Sequence, residues 1–493
     1  MAAAIARRRR VAAALLALAG GAALHAPGRG GPRVQPRASL RAATGPTPME
    51  WPEPLTAGAS ARASPQAILS GAALIAGTTI GAGALALPGA TAPVGFIPSS
   101  AMLVCGWALM AASGLIVAEV TINTACASRQ PGVGLLSATS RTLGSRVGAL
   151  AGAGCGLVQL ALLSAYTAQG GGELGQLAAD ATTAAGLAPP PAAAGPACFT
   201  AALGGAAALS SARALGVLTN SLVAALLASF AALLAVAAPA VSAEQLLEGG
   251  HWERAVGALP ICVLALVFHN VVPAVARALR GEVRAIQLAV LIGSVVPLLI
   301  FILWDGAILG VPVPAAAPAA DALVASAEGA AAAAQVVAQS VDALAPLRAL
   351  SEASPVARVA VSAFSLCAIG TSYLGFVTGQ TDVVVDALGM RGVGEQRPAG
   401  AYALALLPPL TVALLVPDIF APALDAAGTF GVTTLYALLP AAIAWQQRYG
   451  GVLGGAEASA ARVLPGGKAA LLAVSAVALF IVGEGALDAL GLT

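Results

Sequence analysis

Gly77-Thr78-Thr79-Ile80-Gly81-Ala82-Gly83-Ala84-Leu85-Ala86-Leu87-Pro88 lies inside an apolar run that begins near Gln66 and is long enough to cross a bilayer. Three glycines and two threonines within seven residues are poor helix formers. In hydrocarbon every freed backbone group needs a partner, so a break is tolerated only where protein covers it or where it lines a cavity. One reading is a discontinuous helix whose open N–H and C=O groups bind a small solute. The other is close helix packing, because Gly77-xxx-Gly81 also suits a small-residue interface.

The rest of the composition places this stretch in a membrane. The chain of 493 residues is 58% hydrophobic and 9% charged, with a mean hydropathy of +0.88. Those values describe an all-α polytopic membrane protein whose main partner is the lipid bilayer. Nothing in them suits nucleic-acid binding. Residues 1–49 hold eight arginines and no acidic residue, which leaves 16 basic and 22 acidic groups for the remainder. Arg7 to Arg10, a short Ala/Leu run and a following Arg/Pro/Ser tract suit a disordered organelle transit peptide over residues 1–60. The plastid is the first expectation, with the inner envelope as destination and the mitochondrial inner membrane as the alternative; a secretory signal is the other reading of the same segment. Six scattered cysteines without a CxxC pair, and three distant histidines, give no disulfide framework and no metal site.

Apolar runs recur at about 66–88, 94–118, 147–169, 195–211, 217–240, 257–278, 286–311, 356–378, 400–417, 419–445 and 468–490, eleven candidate spans in all. Placing the mature N-terminus on the cis side puts thirteen basic residues on that side and three (Arg254, Arg348 and Arg358) on the other. One missed span would invert every later loop, so the bias supports both the count and the orientation. Residues 313–355, Ala-rich with four acids, form the longest connection and read as a solvated insertion on the trans side.

Span six supplies a second break. In Phe268-His269-Asn270-Val271-Val272-Pro273 an ionisable side chain, an amide and a proline interrupt an otherwise apolar helix, and proline removes a ladder donor. Span one enters from the cis side and span six from the trans side. Two units of five helices, 66–240 and 257–445, then form a 5+5 inverted repeat with helices 1 and 6 discontinuous and 468–490 as an extra helix. Such an arrangement puts a substrate site near the midplane.

Ala76 to Gly83 with Pro88, Ala118-Glu119-Val120, Ala165-Tyr166 with Gly170-Gly171-Gly172-Glu173-Leu174, and Phe268-His269 with Pro273 recur in a known order. So do Gly293-Ser294 to Pro297 with Trp304, Thr371-Ser372-Tyr373-Leu374-Gly375, Leu407-Pro408-Pro409 and Trp445-Gln446. With these residues the chain resembles the bacterial-type tyrosine/tryptophan permeases of the aromatic amino acid transporter family, within the amino acid/polyamine transporter superfamily, in an organelle-targeted version. The resemblance implies a leucine-transporter type of fold with eleven helices and proton-coupled symport of an aromatic amino acid, tyrosine first, with no enzymatic activity and no cofactor. Another amino acid, or sodium as the coupling ion, is the alternative within transport; a non-transporting receptor or scaffold is the alternative outside it. Ala265 and Val267 stand where the family carries serine and glycine, and Gly379-Gln380-Thr381-Asp382 replaces an aromatic and aliphatic run.

The site residues expected on this basis begin with the backbone of Gly77, Thr78, Thr79, Ile80, Gly81, Ala82 and Gly83, which would meet the amino and carboxylate groups of a substrate. Phe268, His269 and Asn270 form the second half. The unperturbed pKa of a histidine lies near physiological pH and a membrane-embedded ionisable group is a functional candidate, so His269 could carry the coupled proton or bond the substrate. Glu119 and Glu173 are further proton-relay candidates. Tyr166, Gln169, Ser372 and Tyr373 are candidate walls for an aromatic side chain. Gly170-x-Gly172-x-x-Gly175 matches a dinucleotide fingerprint but has no preceding strand, so it is set aside.

Overall fold

A computed structural model describes residues 63–128, 133–247, 250–311, 355–388, 390, 397–452 and 461–490. The expected leader at 1–60 and nearly all of the 313–355 insertion lie outside the described residues. Among the described residues every regular element is helical.

Helix α1 (Pro65–Thr79) starts at Ser64, whose hydroxyl caps Ala67 N–H at 3.2 Å, and has Pro65 at its first position, where a missing N–H is no loss. It stops at the glycine-rich stretch and α2 (Gly83–Thr91) continues at an angle of 59°. There follow α3 (Phe96–Ser128), α4 (Leu135–Thr142), α5 (Ser145–Ala184), α6 (Ala194–Leu209) and α7 (Ala212–Ala237). The second broken pair is α8 (Ala255–Ala265) and α9 (Val272–Ala278), and Arg280 and Gly281, both at positive φ, turn the chain into α10 (Val283–Leu309). The chain continues through α11 (Pro355–Leu388), α12 (Ala399–Leu415), α13 (Phe420–Tyr449) and α14 (Gly467–Leu490).

Seven described helices are long and apolar enough to cross a membrane, or eight with the bent pair α1/α2 taken as one span. Each of the eleven apolar runs falls on a helix or a broken pair, although α6, α12 and the halves α8 and α9 are short. The outer face is apolar: on α10, Leu288, Leu291, Ile292, Val296, Leu299 and Leu303 are exposed at helical spacing. A stripe of this kind suits lipid rather than water.

Glycines let helices approach closely where the bundle is tightest. A Cβ on Gly83 would stand 2.7 Å from Ala265 Cα, so the two broken helices meet backbone to backbone. The Gly170–Gly172 run, far from any nucleotide role, packs α5 on α6: a Cβ on Gly171 would overlap Pro196, and one on Gly170 would overlap the Phe199 ring.

One buried ion pair fastens the far end of the bundle. Both Glu119 and Arg448 have side chains with no exposure, and the pair is bidentate, with Arg448 Nε donating to Glu119 Oε1 at 2.5 Å and Nη2 donating to Oε2 at 2.6 Å. Val463 N–H also donates to Glu119 Oε2 at 2.8 Å, while Arg448 Nη2 donates to Leu464 O at 2.9 Å. This network ties α3, α13 and the approach to α14 together. Glu119, expected as a proton relay, is placed in a fixed and fully partnered ion pair. Removing one member of such a pair strands the other charge. Glu119→Ala and Arg448→Met are therefore each expected to lower stability by about 3–5 kcal/mol, read as an earlier thermal unfolding of the detergent-solubilised chain. The double substitution should recover much of that loss.

Candidate functional site

At the first break the α-helical ladder ends with Ile80 N–H donating to Ala76 O, and Ile80 itself is extended (φ −77°, ψ 105°). Two donors resume tightly beyond it: Ala84 N–H to Gly81 O at 3.0 Å and Leu85 N–H to Ala82 O at 3.2 Å. Ala82 N–H, left without a helical acceptor, donates to the Ser372 hydroxyl of α11 at 3.0 Å. Gly81 leaves the room for it, because a Cβ there would overlap Ser372 Oγ. Gly77 is different. Nothing lies within 4 Å of its ideal Cβ, so this glycine borders open space rather than a helix interface. The Thr78 and Thr79 hydroxyls donate back to Leu74 O and Ile75 O, each at 2.7 Å, leaving only lone pairs for a ligand.

The second break runs from Leu266 to Val271 and is held by single turns, Val271 N–H to Phe268 O at 3.1 Å and Val272 N–H to His269 O at 3.3 Å. Its histidine is 1% exposed. The imidazole is stacked between Phe268 and Tyr436, with centroids 4.9 and 5.0 Å away, and its Nε2 lies 2.7 Å from Ser113 Oγ on α3. Nδ1 has no hydrogen-bond partner in the protein. Gly114 makes this possible, since a Cβ there would stand 2.7 Å from the Phe268 ring.

Both breaks border one cavity of about 650 Å³, walled by Gly77, Thr78, Ile80, Asn270, Ser372 and Phe376 among others. That size falls within the roughly 300–1,000 Å³ range of small-molecule sites. A second cavity of about 550 Å³ shares Cys155, Asn270, Leu435 and Tyr436 with the first and reaches His269. It continues to exposed Arg277 and Asp382, the latter paired with Arg397 at 2.5 Å. At the other end Trp304 packs on Phe364 (4.7 Å) and Phe230 (5.7 Å), and the void there shrinks to about 10 Å³. The site is thus open toward the end carrying α4, Arg277 and Arg397 and closed by aromatic rings toward the opposite end.

The expected wall residues divide. Ser372 and Asn270 line the larger cavity and His269 lines the second, while Phe268 lines neither and stacks on His269. Tyr166 stands behind the wall, its ring edge-on to Phe376 at 5.7 Å. Tyr373 points away onto Phe199 at 5.1 Å. Gln169 donates to Glu173 at 3.3 Å, and neither belongs to the walls of the two cavities. The α5 face that does line the site carries Cys155, Val158, Gln159 and Leu162; their spacing of three and four residues is a signal the sequence held. Thr219 and Asn220 of α7 and Tyr436 of α13 were also missed. Tyr436 sits in a π-helical stretch, Thr434–Leu438, whose wider turn no residue pattern announces.

The tryptophan/tyrosine permease family matches residues 64–483. The tyrosine-specific transport system 2 of Haemophilus influenzae is 31% identical over 376 residues, 74% of this chain and 84% of that protein. The chain belongs to the tryptophan/tyrosine permease family. It is a membrane transporter and not an enzyme. The tryptophan-specific transport protein of the same organism is 29% identical over 393 residues, covering 77% of this chain and 88% of that protein. Among solved structures, a manganese transporter of Eremococcus coleocola matches with a TM-score of 0.50 and 13% identity, over 85% of this chain and 86% of that one, a likeness of fold.

The open path makes one accessibility prediction. Cys155 is half-buried where the two cavities join, and Cys262 is buried. In variants keeping a single cysteine, a small polar thiol reagent added from the Arg277 side should modify Cys155 readily and leave Cys262 unmodified. Equal protection of both would contradict an open path to the breaks.

Proposed function

We propose that this chain is a proton-coupled symporter of aromatic amino acids, tyrosine first, with eleven spans arranged as a 5+5 inverted repeat plus a terminal helix. The observation that carries the reading is the joining of the two helix breaks by one cavity with aromatic and apolar walls. A zwitterionic amino acid needs a cation site and an anion site close together. The C-terminal carbonyls of α1 and the N-terminal amides of α2 supply opposite partial charges across three residues. Phe376, Tyr436, Leu162 and Val432 then supply an apolar bed for a ring, and Gln159, Asn220 and Asn270 offer polar contacts to a phenol or indole group. The relatives named for tyrosine and for tryptophan transport support the same substrate class. The Arg-rich leader supports delivery to an organelle inner membrane, the plastid envelope first, which imaging of a fusion of residues 1–65 would test.

Uptake of radiolabelled tyrosine into proteoliposomes, with and without an imposed pH gradient, tests the carrier. Stimulation by an inward proton gradient is expected; no uptake of any aromatic amino acid would refute the reading. Within that assay Gly81→Ala should weaken tyrosine binding at least about tenfold, or about 1.4 kcal/mol, because the added methyl displaces Ser372 and strands Ala82 N–H. Gly77→Ala, with open space before it, should be much milder. His269→Ala should suppress uptake while the chain still folds, and near-normal uptake would reduce His269 to a packing residue.

A further inference from the structure

Asp305 occupies a position that the carrier reading has not used. It lies one turn from the end of α10, is 0% exposed, and neither carboxyl oxygen has a hydrogen bond. Its neighbours are two hydroxyls, those of Thr91 and Ser99. Each donates within its own segment instead, Thr91 to Leu87 O at 2.8 Å and Ser99 to Phe96 O at 3.0 Å. The residue before it, Trp304, donates its indole N–H to Ala84 O at 2.9 Å. Ala84 is in the first turn of α2 and Thr91 is its last residue. Adjacent residues of α10 therefore meet both ends of the half-helix that starts at the first break, Trp304 by a hydrogen bond and Asp305 by proximity.

Among the described residues no cation pairs with it: His251, whose backbone N–H donates to Val94 O just beyond α2, and Arg254 are exposed and lie beside Glu253. Helices α1 and α2 carry no titratable residue. Cys262 of α8 is near enough to feel the carboxyl electrostatically, and Cys105 of α3 is near Cys262. Glu119, also on α3, is bound by Arg448. Arg213 of α7, Arg277 of α9 and exposed Glu244 of the short Ala243–Leu247 helix are not among the groups acting on the Asp305 carboxyl. Arg284 of α10 itself lies about 30 Å away along the helix axis. An unpaired carboxylate buried in this way is far more costly than the neutral acid. The hydroxyls of Thr91 and Ser99 can rotate to serve either form, so the packing seen here suits a carboxyl group carrying its proton. Moving α2 away would bring water to it.

We propose that Asp305 is the residue through which a pH gradient acts on this carrier, its protonation allowing α2 to close the aromatic end of the path. Uptake forms a carboxyl O–H bond with a proton from water, and release returns that proton to water and restores the carboxylate. The assignment rests on the carrier reading above and deepens it.

The test uses the full chain in proteoliposomes with radiolabelled tyrosine. Asp305→Asn mimics the protonated acid. It should keep exchange of internal for external tyrosine near the wild-type rate while pH-gradient-driven accumulation falls at least about tenfold. Its tyrosine affinity should no longer change with pH. Asp305→Glu should retain gradient-driven accumulation. Persistent accumulation by Asp305→Asn would overturn the proposal, as would loss of exchange together with accumulation in both variants, which marks a structural group. Wild-type accumulation that follows a sodium gradient and ignores pH would overturn it too. A readout free of substrate is the infrared carbonyl band of a buried protonated carboxyl, expected in the wild type and missing in Asp305→Asn. If the wild type moved no amino acid, the carrier reading would fall while that band still decided whether Asp305 holds a proton; a band unchanged in Asp305→Asn would overturn the assignment.

Discussion

The hydrogen bond from Ala82 N–H to the Ser372 hydroxyl is the contact on which the site depends. A helix broken in an apolar medium strands donors and acceptors that water cannot reach. At this break one donor is satisfied by a side chain of α11, two by tight turns, and the threonine hydroxyls turn back to their own helix. What remains open are backbone groups facing the cavity, and they are the ones a polar solute can use. Because Ser372 belongs to a different helix, the same bond fixes the distance between the first break and the wall that faces it.

The second break is held by other means. Phe268, His269 and Tyr436 form a three-ring stack, and Ser113 fixes the outer nitrogen of its central member. The stack holds His269 against the second cavity and places Tyr436, on the π-helical part of α13, where the two cavities join. Where α2 and α8 meet the contact is close: Gly83 and Ala265 touch backbone to backbone, and the carbonyl of Pro260 lies where a side chain on Gly428 would stand. The closed end is thus a tightly packed joint, whereas the open end is lined by exposed side chains.

The breaks themselves were legible, because glycine, threonine and proline in an apolar run leave few alternatives. The chain leaves regular helix at Ile80–Ala82, inside the Gly77 to Gly83 stretch, and at Leu266–Val271, which overlaps Phe268 to Pro273. Of the two neighbours named in α11, Ser372 lines the cavity, whereas Tyr373 is the next residue and so points about 100° away around the helix. Tyr166 and Gln169 were chosen for their chemistry, and the wall of α5 proved to be one to three turns earlier at Cys155, Val158, Gln159 and Leu162. That error is one of depth along a helix whose facing was right for Tyr166. No pattern in the sequence reports depth, since the same apolar face continues from end to end.

Glu119 and Asp305 show why depth matters for chemistry. Both are acids in apolar helices and both are 0% exposed, so composition around them gives no ground for separating them. Glu119 receives a guanidinium and the backbone N–H groups of Val463 and Leu464, so its carboxylate oxygens are fully partnered. Among the described residues Asp305 receives neither, and its polar neighbours are the hydroxyls of Thr91 and Ser99, which can donate or accept. A group that is always paired cannot report a proton gradient, because nothing is gained by protonating it. A group whose comfortable form depends on the position of one half-helix can do so, and α2 is the half-helix whose first turn meets Trp304 and whose last residue meets Asp305. The physical difference between a structural acid and a responsive one is therefore set by which residues lie on other helices at the same height, and only the folded chain brings them together.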